Sequence, residues 1–419
     1  MQVKTILNRV QKHSAFVYDS VRLLEHPHPP RLTLEVRVRP RVGTRARCSQ
    51  CRRPAPGYDT LPPRRFDFVP LWQIPVVFRY AMRRVDCPRC GVKVEAVPWA
   101  SGKHRLTDAC AWFLAGWAKR LSWQEVADAF PTSWDTVYRA VRTAVDWGLA
   151  HRDLTHIEAI GVDELSRRRG QRYLTLVYQI DDHRRRLLWV GSERRAATLH
   201  GFFDWFGPAR SAALRFVCSD MWKAYLTVIA ERAGHAVHVL DRFHIMAHLS
   251  QAIDAVRAAE ARKLAAAGKA PVLKHSRWLL LKRPERLSDD QRGRLKELVR
   301  RNLRTVRAYL LKEDFQLFWG YVSPYWAGRF LDRWCTRTMR SRLDPMKEVA
   351  RMLRSHRALI LNWFRAKGRI SSGIVEGFNG KARVITKRAY GFRTRPAMEV
   401  ALYHALGDLP EPELTHRFC

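Results

Sequence analysis

Three acidic residues lie at positions where a carboxylate can take part in chemistry. Asp163 and Asp220 each end an apolar segment with the pattern of a β-strand, and Glu376 lies in the last long helical segment. Carboxylates that converge from separate rigid elements are the ligands that hard divalent cations prefer. Two such ions about 4 Å apart polarise the attacking and leaving oxygens of a phosphodiester. The three residues are therefore candidate catalytic ligands of two Mg²⁺ ions, for which Mn²⁺ can substitute.

The segment from 157 to 245 must position the two aspartates. Its patterns predict strands and helices in the order β-β-β-α-β-α-β, which is that of a ribonuclease H-like sheet. The predicted strands cover 157–163, 173–180, 186–191, 214–219 and 236–240, and the helices lie near 196–206 and from residue 222. A single aspartate at a strand end is usually a turn or cap residue. The order of all three acids within this topology is what favours catalysis.

Other polar residues compete for a place at this site. Glu164 follows Asp163, and neighbouring residues of a strand point to opposite faces, so both cannot face one metal ion. We therefore select Asp163. Asp241 and His244 follow the predicted fifth strand and could support the site or bind the scissile phosphate. A helix N-cap aspartate beside a hydrogen-bonded histidine is an equally good interpretation of that pair.

Four of the eight cysteines form two C-x-x-C pairs, Cys48 with Cys51 and Cys87 with Cys90. Each pair follows a predicted strand, at 31–39 and 76–85, so that four thiolates can complete one tetrahedral zinc shell. The segment between the pairs is rich in proline, and we expect it to bulge out as an inserted hairpin or loop. A redox dithiol, the alternative, would need only one pair. The sequence predicts one structural Zn²⁺.

Residues 104–150 change to helical periodicity. Ser122 and Glu125 have the spacing of a capping box for a short helix, and a second helix begins near Ser133 after a turn. Two short helices with a tight turn and a basic outer face resemble a helix-turn-helix, although any small helical bundle has similar patterns. The residues that we predict to face DNA from the second helix include Thr136, Tyr138, Arg139 and Arg142.

The last long helix is basic beyond Glu376. Arg383 falls seven residues later, two turns along the same face, where a cation can hold a DNA phosphate. Lys381, Lys387 and Arg388 extend this basic segment. A solvated basic face is the simpler alternative, but we include these four side chains among the candidate DNA contacts.

The whole chain is strongly basic, with 76 Lys and Arg against 39 Asp and Glu and a formal net charge of +37. A field of this sign favours a polyanion, although codon bias toward arginine would contribute to the count. The hydrophobic content of 47% argues against a disordered chain. No apolar run is long enough to span a bilayer and no signal peptide is recognisable, so we expect a cytoplasmic, nucleoid-associated protein.

Three sequence blocks resemble the catalytic blocks of the ISL3 family of bacterial insertion-sequence transposases. They are GVDE at 161–164, SDMWKAY at 219–225 and SSGIVEGFNGKARVITKRAYGFR at 371–393. The resemblance implies that Asp163, Asp220 and Glu376 are metal ligands. It also implies an enzyme of the DDE class that binds the terminal inverted repeats of its element, hydrolyses the DNA at the ends and joins the 3′-hydroxyls to target DNA.

The expected architecture is a multidomain α+β protein. The predicted domains are a zinc ribbon (1–103), a helix-turn-helix (104–150), the first part of a ribonuclease H-like core (151–245), an all-helical insertion (246–368) and the last part of the core (369–419). The tryptophans of the insertion could stack on unpaired bases, but we interpret them as core residues. The expected partner is double-stranded DNA, and holding two element ends together requires a homodimer.

Two other functions remain possible at this point. One is a zinc and helix-turn-helix regulator with an inactive core, and the presence of all three carboxylates argues against it. The other is a ribonuclease H-like nuclease that cuts without strand transfer. The large helical insertion and two DNA-reading modules favour an end-specific recombinase over such a nuclease.

Overall fold

A computed structural model describes residues 2–28, 30–102, 104–168, 172–282, 284–301, 303–366 and 372–413. The chain forms two compact units. The first comprises Met1–Asp153 and Val384–Cys419, and the second comprises Leu154–Arg383. Both units mix helices with a five-stranded sheet. The predicted last segment, 369–419, is divided between the two units, with the residues up to 383 in the second and those from 384 in the first.

The sheet of the first unit contains the two strands that precede the cysteine pairs. Its elements are α1 (Val3–Val10), β1 (Phe16–Glu25), β2 (Leu32–Pro40), β3 (Gly57–Leu71), β4 (Ile74–Cys87) and β5 (Gly91–Val94). The strand order is β1-β2-β4-β3, with β5 paired to β4. Trp99 is fully buried beneath this sheet, and the rings of Phe16, Phe66 and Tyr80 contact it edge-on.

The proline-rich segment between the cysteine pairs is part of a hairpin, one of the two predicted forms, but it does not bulge out from the sheet. Pro62, Pro63 and Pro70 lie within β3, which forms a long antiparallel hairpin with β4 and belongs to the main sheet. The sheet tolerates these prolines because β3 is an edge strand, where a missing N–H leaves no ladder partner unsatisfied. The register between β3 and β4 shifts between Thr60 and Pro63 and again between Phe68 and Leu71.

Four further helices belong to the first unit, together with the end of a fifth that begins in the second unit. They are α2 (Asp108–Ala118), α3 (Trp123–Ala129), α4 (Trp134–His151) and α16 (Arg395–Leu406). Ser122 and Glu125 form the predicted capping box, and the Ser133 hydroxyl caps α4. Val137, Val141 and Val145 are buried along α4, as their spacing predicts.

The second unit begins with the predicted succession of strands and helices. These are β6 (Ala159–Arg168), β7 (Arg172–Ile180), β8 (Arg185–Ser192), α5 (Ala196–Phe206), α6 (Pro208–Ala212), β9 (Phe216–Ser219), α7 (Lys223–Ala233) and β10 (Val237–Leu240). Only the short helix α6 was not predicted. The strand order is β10-β9-β6-β7-β8. The strands β6, β7 and β8 are antiparallel neighbours, whereas β9 is parallel to β6 and β10 is parallel to β9.

A group of helices follows β10, in agreement with the predicted all-helical insertion. They are α8 (Arg242–Ala266), α9 (Arg277–Leu281), α10 (Asp289–Val299), α11 (Arg304–Gln316), α12 (Pro324–Met339), α13 (Asp344–Ser355) and α14 (Arg357–Arg365). Trp319 and Trp334 are buried in their core and Trp363 packs against it. Trp278 and Trp326 are exposed, so the interpretation as core residues is wrong for these two.

Helix α15 (Ser372–Arg388) carries Glu376 and crosses β6 closely. A Cβ at Gly161 would lie 2.4 Å from Val375 Cγ2, so only glycine at this position lets the helix approach the strand. None of the described helices has both the length and the apolar composition needed to cross a bilayer.

Candidate active site

The sheet of the second unit brings three aspartates to one edge. In the parallel ladders, Gly161 pairs with Cys218, and Ser219 pairs with Leu240. Asp163 lies two residues after Gly161, and Asp220 lies two residues after Cys218. Asp241 directly follows Leu240. Because the carboxyl ends of parallel strands share an edge, the three side chains lie at the same level.

Asp163 does not end its strand as predicted. β6 continues to Arg168 in its pairing with β7, whereas β9 pairs with β6 only as far as Gly161. The edge that carries Asp220 and Asp241 is therefore where β9 and β10 end, and β6 runs past it. The Asp163 backbone therefore pairs with Leu176 of β7 on one side, whereas the ladder with β9 on the other side has already ended.

Asp163 is largely enclosed. Its Oδ2 accepts a hydrogen bond from Asn379 Nδ2 at 2.5 Å, and its Oδ1 accepts one from the backbone N–H of Glu164 at 2.7 Å. Burial raises the pKa of Asp163 to about 6, and the negative charges of Asp241 and Asp220 add to this rise. The charged form of a carboxylate that is buried among other acids is therefore disfavoured, and a nearby cation would stabilise it.

Asp241 and His244 form a pair beside Asp163. Asp241 is buried and caps α8 by accepting from the backbone N–H of Phe243, and its Oδ2 lies 3.0 Å from His244 Nδ1. This hydrogen bond raises the pKa of His244 to about 9, with further contributions from the charges of Asp163 and Asp220. The imidazole is therefore protonated at neutral pH. Asp241 is therefore a helix N-cap beside a hydrogen-bonded histidine, and a role of the pair at the site stays a prediction.

Glu164 lies close to Asp220, although the opposite-face argument predicted that it cannot face the same metal ion as Asp163. Arg194 Nε lies 2.5 Å from Glu164 Oε1, and Arg194 Nη2 lies 3.1 Å from Asp220 Oδ2. One guanidinium therefore joins both carboxylates, and it stacks 4.7 Å over the ring of Trp222. Asp220 follows the end of β9, so its side chain can be reached from the face of the sheet that Glu164 occupies. Burial and then the charge of Asp220 raise the pKa of Glu164 to about 7.

Asn379 is a site residue that the sequence analysis did not select. Its side chain is buried, and its Oδ1 accepts a hydrogen bond from Tyr178 Oη at 2.7 Å while its Nδ2 donates to Asp163. The Tyr178 ring stacks on Phe378 with centroids 4.9 Å apart. Asn379 lies three residues after Glu376, one helical turn along the same face, and this spacing could have identified it.

Glu376 is exposed on α15, one turn before Asn379. Among the described residues, only the four cysteines have metal-ligand atoms that all lie within 4.8 Å of one another. The oxygens of Asp163, Asp220 and Glu376 therefore do not all lie within that distance of one another in this structure. Lys381 and Arg383 are exposed on the same helix, whereas Lys387 and Arg388 belong to the first unit.

The four cysteines converge in the first unit as the sequence predicts. Cys48 and Cys87 are buried, and the Sγ atoms of Cys51 and Cys87 lie 3.5 Å apart. A backbone hydrogen bond from Cys51 lowers the pKa of Cys48 to about 7, which favours the thiolate. Gly91 follows the second pair with a φ of 68°, a conformation that glycine adopts without strain. This group has the donors and the spacing of a zinc site.

On α4, the side chains predicted to face DNA do not all behave alike. Arg139 and Arg142 are exposed and form ion pairs with Asp135 and Asp146, one turn away along the helix. The Thr136 hydroxyl lies 2.9 Å from the Ser133 hydroxyl at the start of the helix. Tyr138 is half-buried against Trp123, with ring centroids 5.1 Å apart, so it does not share the outward face of the arginines.

Comparison with known proteins identifies the family. The sequence profile of the ISL3 group of DDE transposases, described as a transposase, matches residues 160–402, which is more than half of the chain. The chain belongs to the ISL3 family of transposases. The resemblance inferred from the three sequence blocks is therefore confirmed, and the matched region of this ISL3 transposase contains all three candidate catalytic acids.

Two relatives are similar to this ISL3 transposase over most of its length. It is 30% identical over 376 residues to the transposase for insertion sequence element IS1001 of Bordetella parapertussis, covering 89% of this chain and 91% of the relative. It is 31% identical over 397 residues to the transposase for insertion sequence element IS1557 of Mycobacterium tuberculosis, covering 86% of each.

Proposed function

We propose that this transposase cuts DNA at the ends of its insertion sequence and joins the freed 3′-hydroxyls to target DNA, with Asp163, Asp220 and Glu376 as the catalytic acids. The proposal rests on the positions of Asp163, on β6, and Asp220, directly after the adjacent parallel strand β9, which lie side by side at one edge of the sheet. The strand order and directions of this sheet support a ribonuclease H-like core, a fold that holds acids at such an edge.

The donor set at this edge fits divalent cations. Its carboxylate oxygens are hard ligands on rigid backbone, and the pKa values of Asp163 and Glu164 are raised by burial and by neighbouring acids. A cationic group, the guanidinium of Arg194, already lies between Glu164 and Asp220. We assign Asp163, Asp220 and Glu376 as the residues that would hold two Mg²⁺ ions, which supply polarisation of phosphodiester oxygens when bound.

The other polar side chains then have distinct roles. Protonated His244, held by Asp241, places a positive charge where a scissile phosphate can bind. Lys381 and Arg383 continue the exposed face of α15 and bind phosphates farther along the DNA. Asn379 fixes the orientation of Asp163 because its amide is itself held by Tyr178.

Removing the Asn379 amide should weaken the site without changing its charge. We expect Asn379→Ala to lower Mn²⁺ affinity and cleavage rate by about 10- to 100-fold, the usual cost of losing a group that orients a metal ligand. Tyr178→Phe should change both in the same direction by a smaller factor. Calorimetric titration with Mn²⁺ measures the first quantity independently of turnover. Val384→Ala, an exposed change on the same helix, is the control, and equal Mn²⁺ affinity in all four proteins would refute this role.

In the first unit, we propose that Cys48, Cys51, Cys87 and Cys90 hold one structural Zn²⁺ and that α3 and α4 form a helix-turn-helix. Exposed Arg139 and Arg142, with Thr136 at the start of α4, are the residues that would read bases of the element ends. The net charge of +37 supports double-stranded DNA as the partner. Joining two ends requires that both be held together, for which we propose a homodimer.

The contribution of α4 to end recognition can be measured by binding. Arg139→Ala and Arg142→Ala should each weaken binding to element ends by about 1 to 3 kcal/mol if the side chain contacts a base, with little loss on unrelated DNA. Arg301→Ala is a matched control, because Arg301, just after the end of α10, also forms an exposed ion pair with an acid four residues away in the chain, Glu297. Fluorescence anisotropy at several salt concentrations separates base contacts from phosphate contacts. Equal losses on both DNAs would contradict base reading by α4.

The test of the whole proposal uses the DNA that flanks the gene. A supercoiled plasmid carrying both flanks is incubated with the protein and Mg²⁺, and nicked, excised and joined products are mapped by sequencing. We expect cuts at imperfect inverted repeats followed by joining to new sites. Cleavage without joining would indicate a nuclease, and sequence-specific binding without cleavage would indicate a regulator.

A further inference from the structure

The first unit contains a cavity of about 610 Å³ to which the proposed chemistry assigns no role. Its walls come from the start of α3, the start of α4, the end of α15 and the turn that follows it, and α16. The cavity lies within the size range of about 300 to 1,000 Å³ that is usual for small-ligand sites. Five aromatic side chains line it: Trp123, Trp134, Tyr138, Tyr390 and Phe392.

These aromatic side chains form a wall and an open rim. Trp123 packs against Tyr138 at 5.1 Å and against Phe392 at 5.7 Å between ring centroids. Trp134 is about half exposed and Tyr390 is fully exposed, so these two residues remain open to solvent next to the packed rings. Tyr390 and Gly391 both have positive φ values, of 50° and 89°, so a tight turn forms this part of the rim.

The charge at the rim is positive. Arg388 and Arg393 line the cavity and are exposed. Arg388 Nη1 donates to the backbone carbonyl of Arg120 at 2.6 Å, which fixes the position of its guanidinium. The one acid in the lining, Asp135, is paired with Arg139. Burial lowers the pKa of His404 in the wall to about 3, so this ring is neutral and adds no charge.

We propose that this cavity binds an unpaired nucleobase of DNA, stacked on its aromatic side chains, with the adjoining phosphates held by Arg388 and Arg393. Every base offers a π-face to an aromatic ring and carries anionic phosphates on both sides, which matches a ring-lined cavity with a cationic rim. An apolar protein segment would match the rings but not the two guanidiniums. Helix α4 contributes Trp134 and Tyr138 to the cavity and Arg139 to the proposed reading surface. The proposal rests on DNA as the partner, but not on the catalytic acids.

The probe is a fluorescein-labelled duplex with a single-nucleotide bulge of 5-bromodeoxyuridine, compared with the same duplex fully paired. The unaltered protein should prefer the bulged duplex. Trp134→Ala and Tyr390→Ala should each reduce that preference at least about fivefold and leave affinity for the paired duplex unchanged. Both residues are exposed, so the variants should fold. Trp72→Ala, which removes a tryptophan that is 77% exposed in the same unit, is the control.

Ultraviolet crosslinking of the bromouracil, mapped by mass spectrometry, should mark the aromatic residues of the cavity. Crosslinks confined to other residues, or an unchanged preference in both variants, would overturn the proposal. If the variants alter self-association in sedimentation but not binding of the bulged duplex, the cavity is a protein docking surface instead. Asp163→Asn should bind the bulged duplex normally, so failure of the catalytic assignment and failure of this one are distinguishable.

Discussion

Asp163→Asn, Asp220→Asn and Glu376→Gln should each abolish cleavage of element ends while folding and end binding survive. Each change keeps the size of the side chain and removes the charge that would hold Mg²⁺. We expect the rate to fall by about three orders of magnitude or more, and the double variants to be no worse than the single ones, because groups that act as a unit are not additive. Single-turnover release of 3′-hydroxyl ends measures the rate.

The control for this series is Asp182→Asn, which alters an acid in the exposed turn between β7 and β8 and should retain full activity. Mn²⁺ should support cleavage, and Ca²⁺ should support assembly without chemistry because it is larger and accepts looser geometry. Glu376→Gln is the most informative variant of the series, because Glu376 is exposed in the structure and is the acid whose role as a ligand most needs a test. If it cleaves at the normal rate while Asp241→Asn is inactive, Asp241 is the third ligand.

Loss of a single zinc ligand should have the second large effect. Cys51→Ser or Cys87→Ser should eliminate bound zinc and unfold the region around the four cysteines, because three ligands no longer close a tetrahedral shell and metal binding is coupled to folding. End-specific DNA binding should be lost with it. Elemental analysis of protein purified without chelator should give one zinc per chain, and circular dichroism with thermal melting should show the loss of structure.

Cys110→Ala is the matched control for the zinc variants. It removes a buried thiol of the same unit that is not part of the four-cysteine group, so zinc content should remain at one per chain. Its own cost should be that of a small core change, on the order of 1 kcal/mol. Unaltered protein that folds and binds DNA but contains no zinc would refute the assignment.

Local structure was predictable because its causes lie within a few residues. A Ser122 hydroxyl can satisfy the N–H three residues later, and Glu125 can return the bond, wherever the rest of the chain lies. The valines of α4 are buried at helical spacing for the same kind of reason, and alternating residues identified β2 and β4. The family was recognisable from three short blocks. The convergence of the cysteines was predictable because each knuckle already holds two thiolates together.

The composition of the acidic site depended on contacts that span long stretches of chain. Asp241 reaches the level of Asp163 only because β10 pairs with β9 and β9 with β6. Asn379 reaches Asp163 across more than two hundred residues, and Gly161 permits the approach of α15 that brings it there. Likewise, Arg194 contacts both Glu164 and Asp220. This is possible because Asp220 follows the end of β9, where side chains no longer alternate between the two faces of the sheet as Asp163 and Glu164 do.

By itself, the sequence determined helices α2 to α5 and α7, most strands, the convergence of the four cysteines, the family and the two aspartates at the sheet edge. Each of these follows from periodicity, capping or spacing that a short window contains. Only the tertiary structure decided that Asn379, Arg194 and the Asp241–His244 pair surround those aspartates, that Tyr138 faces a cavity and that the chain beyond 383 packs in the first unit. These outcomes depend on which distant surfaces pack together, and local periodicity constrains which face of an element is apolar but not which partner covers it.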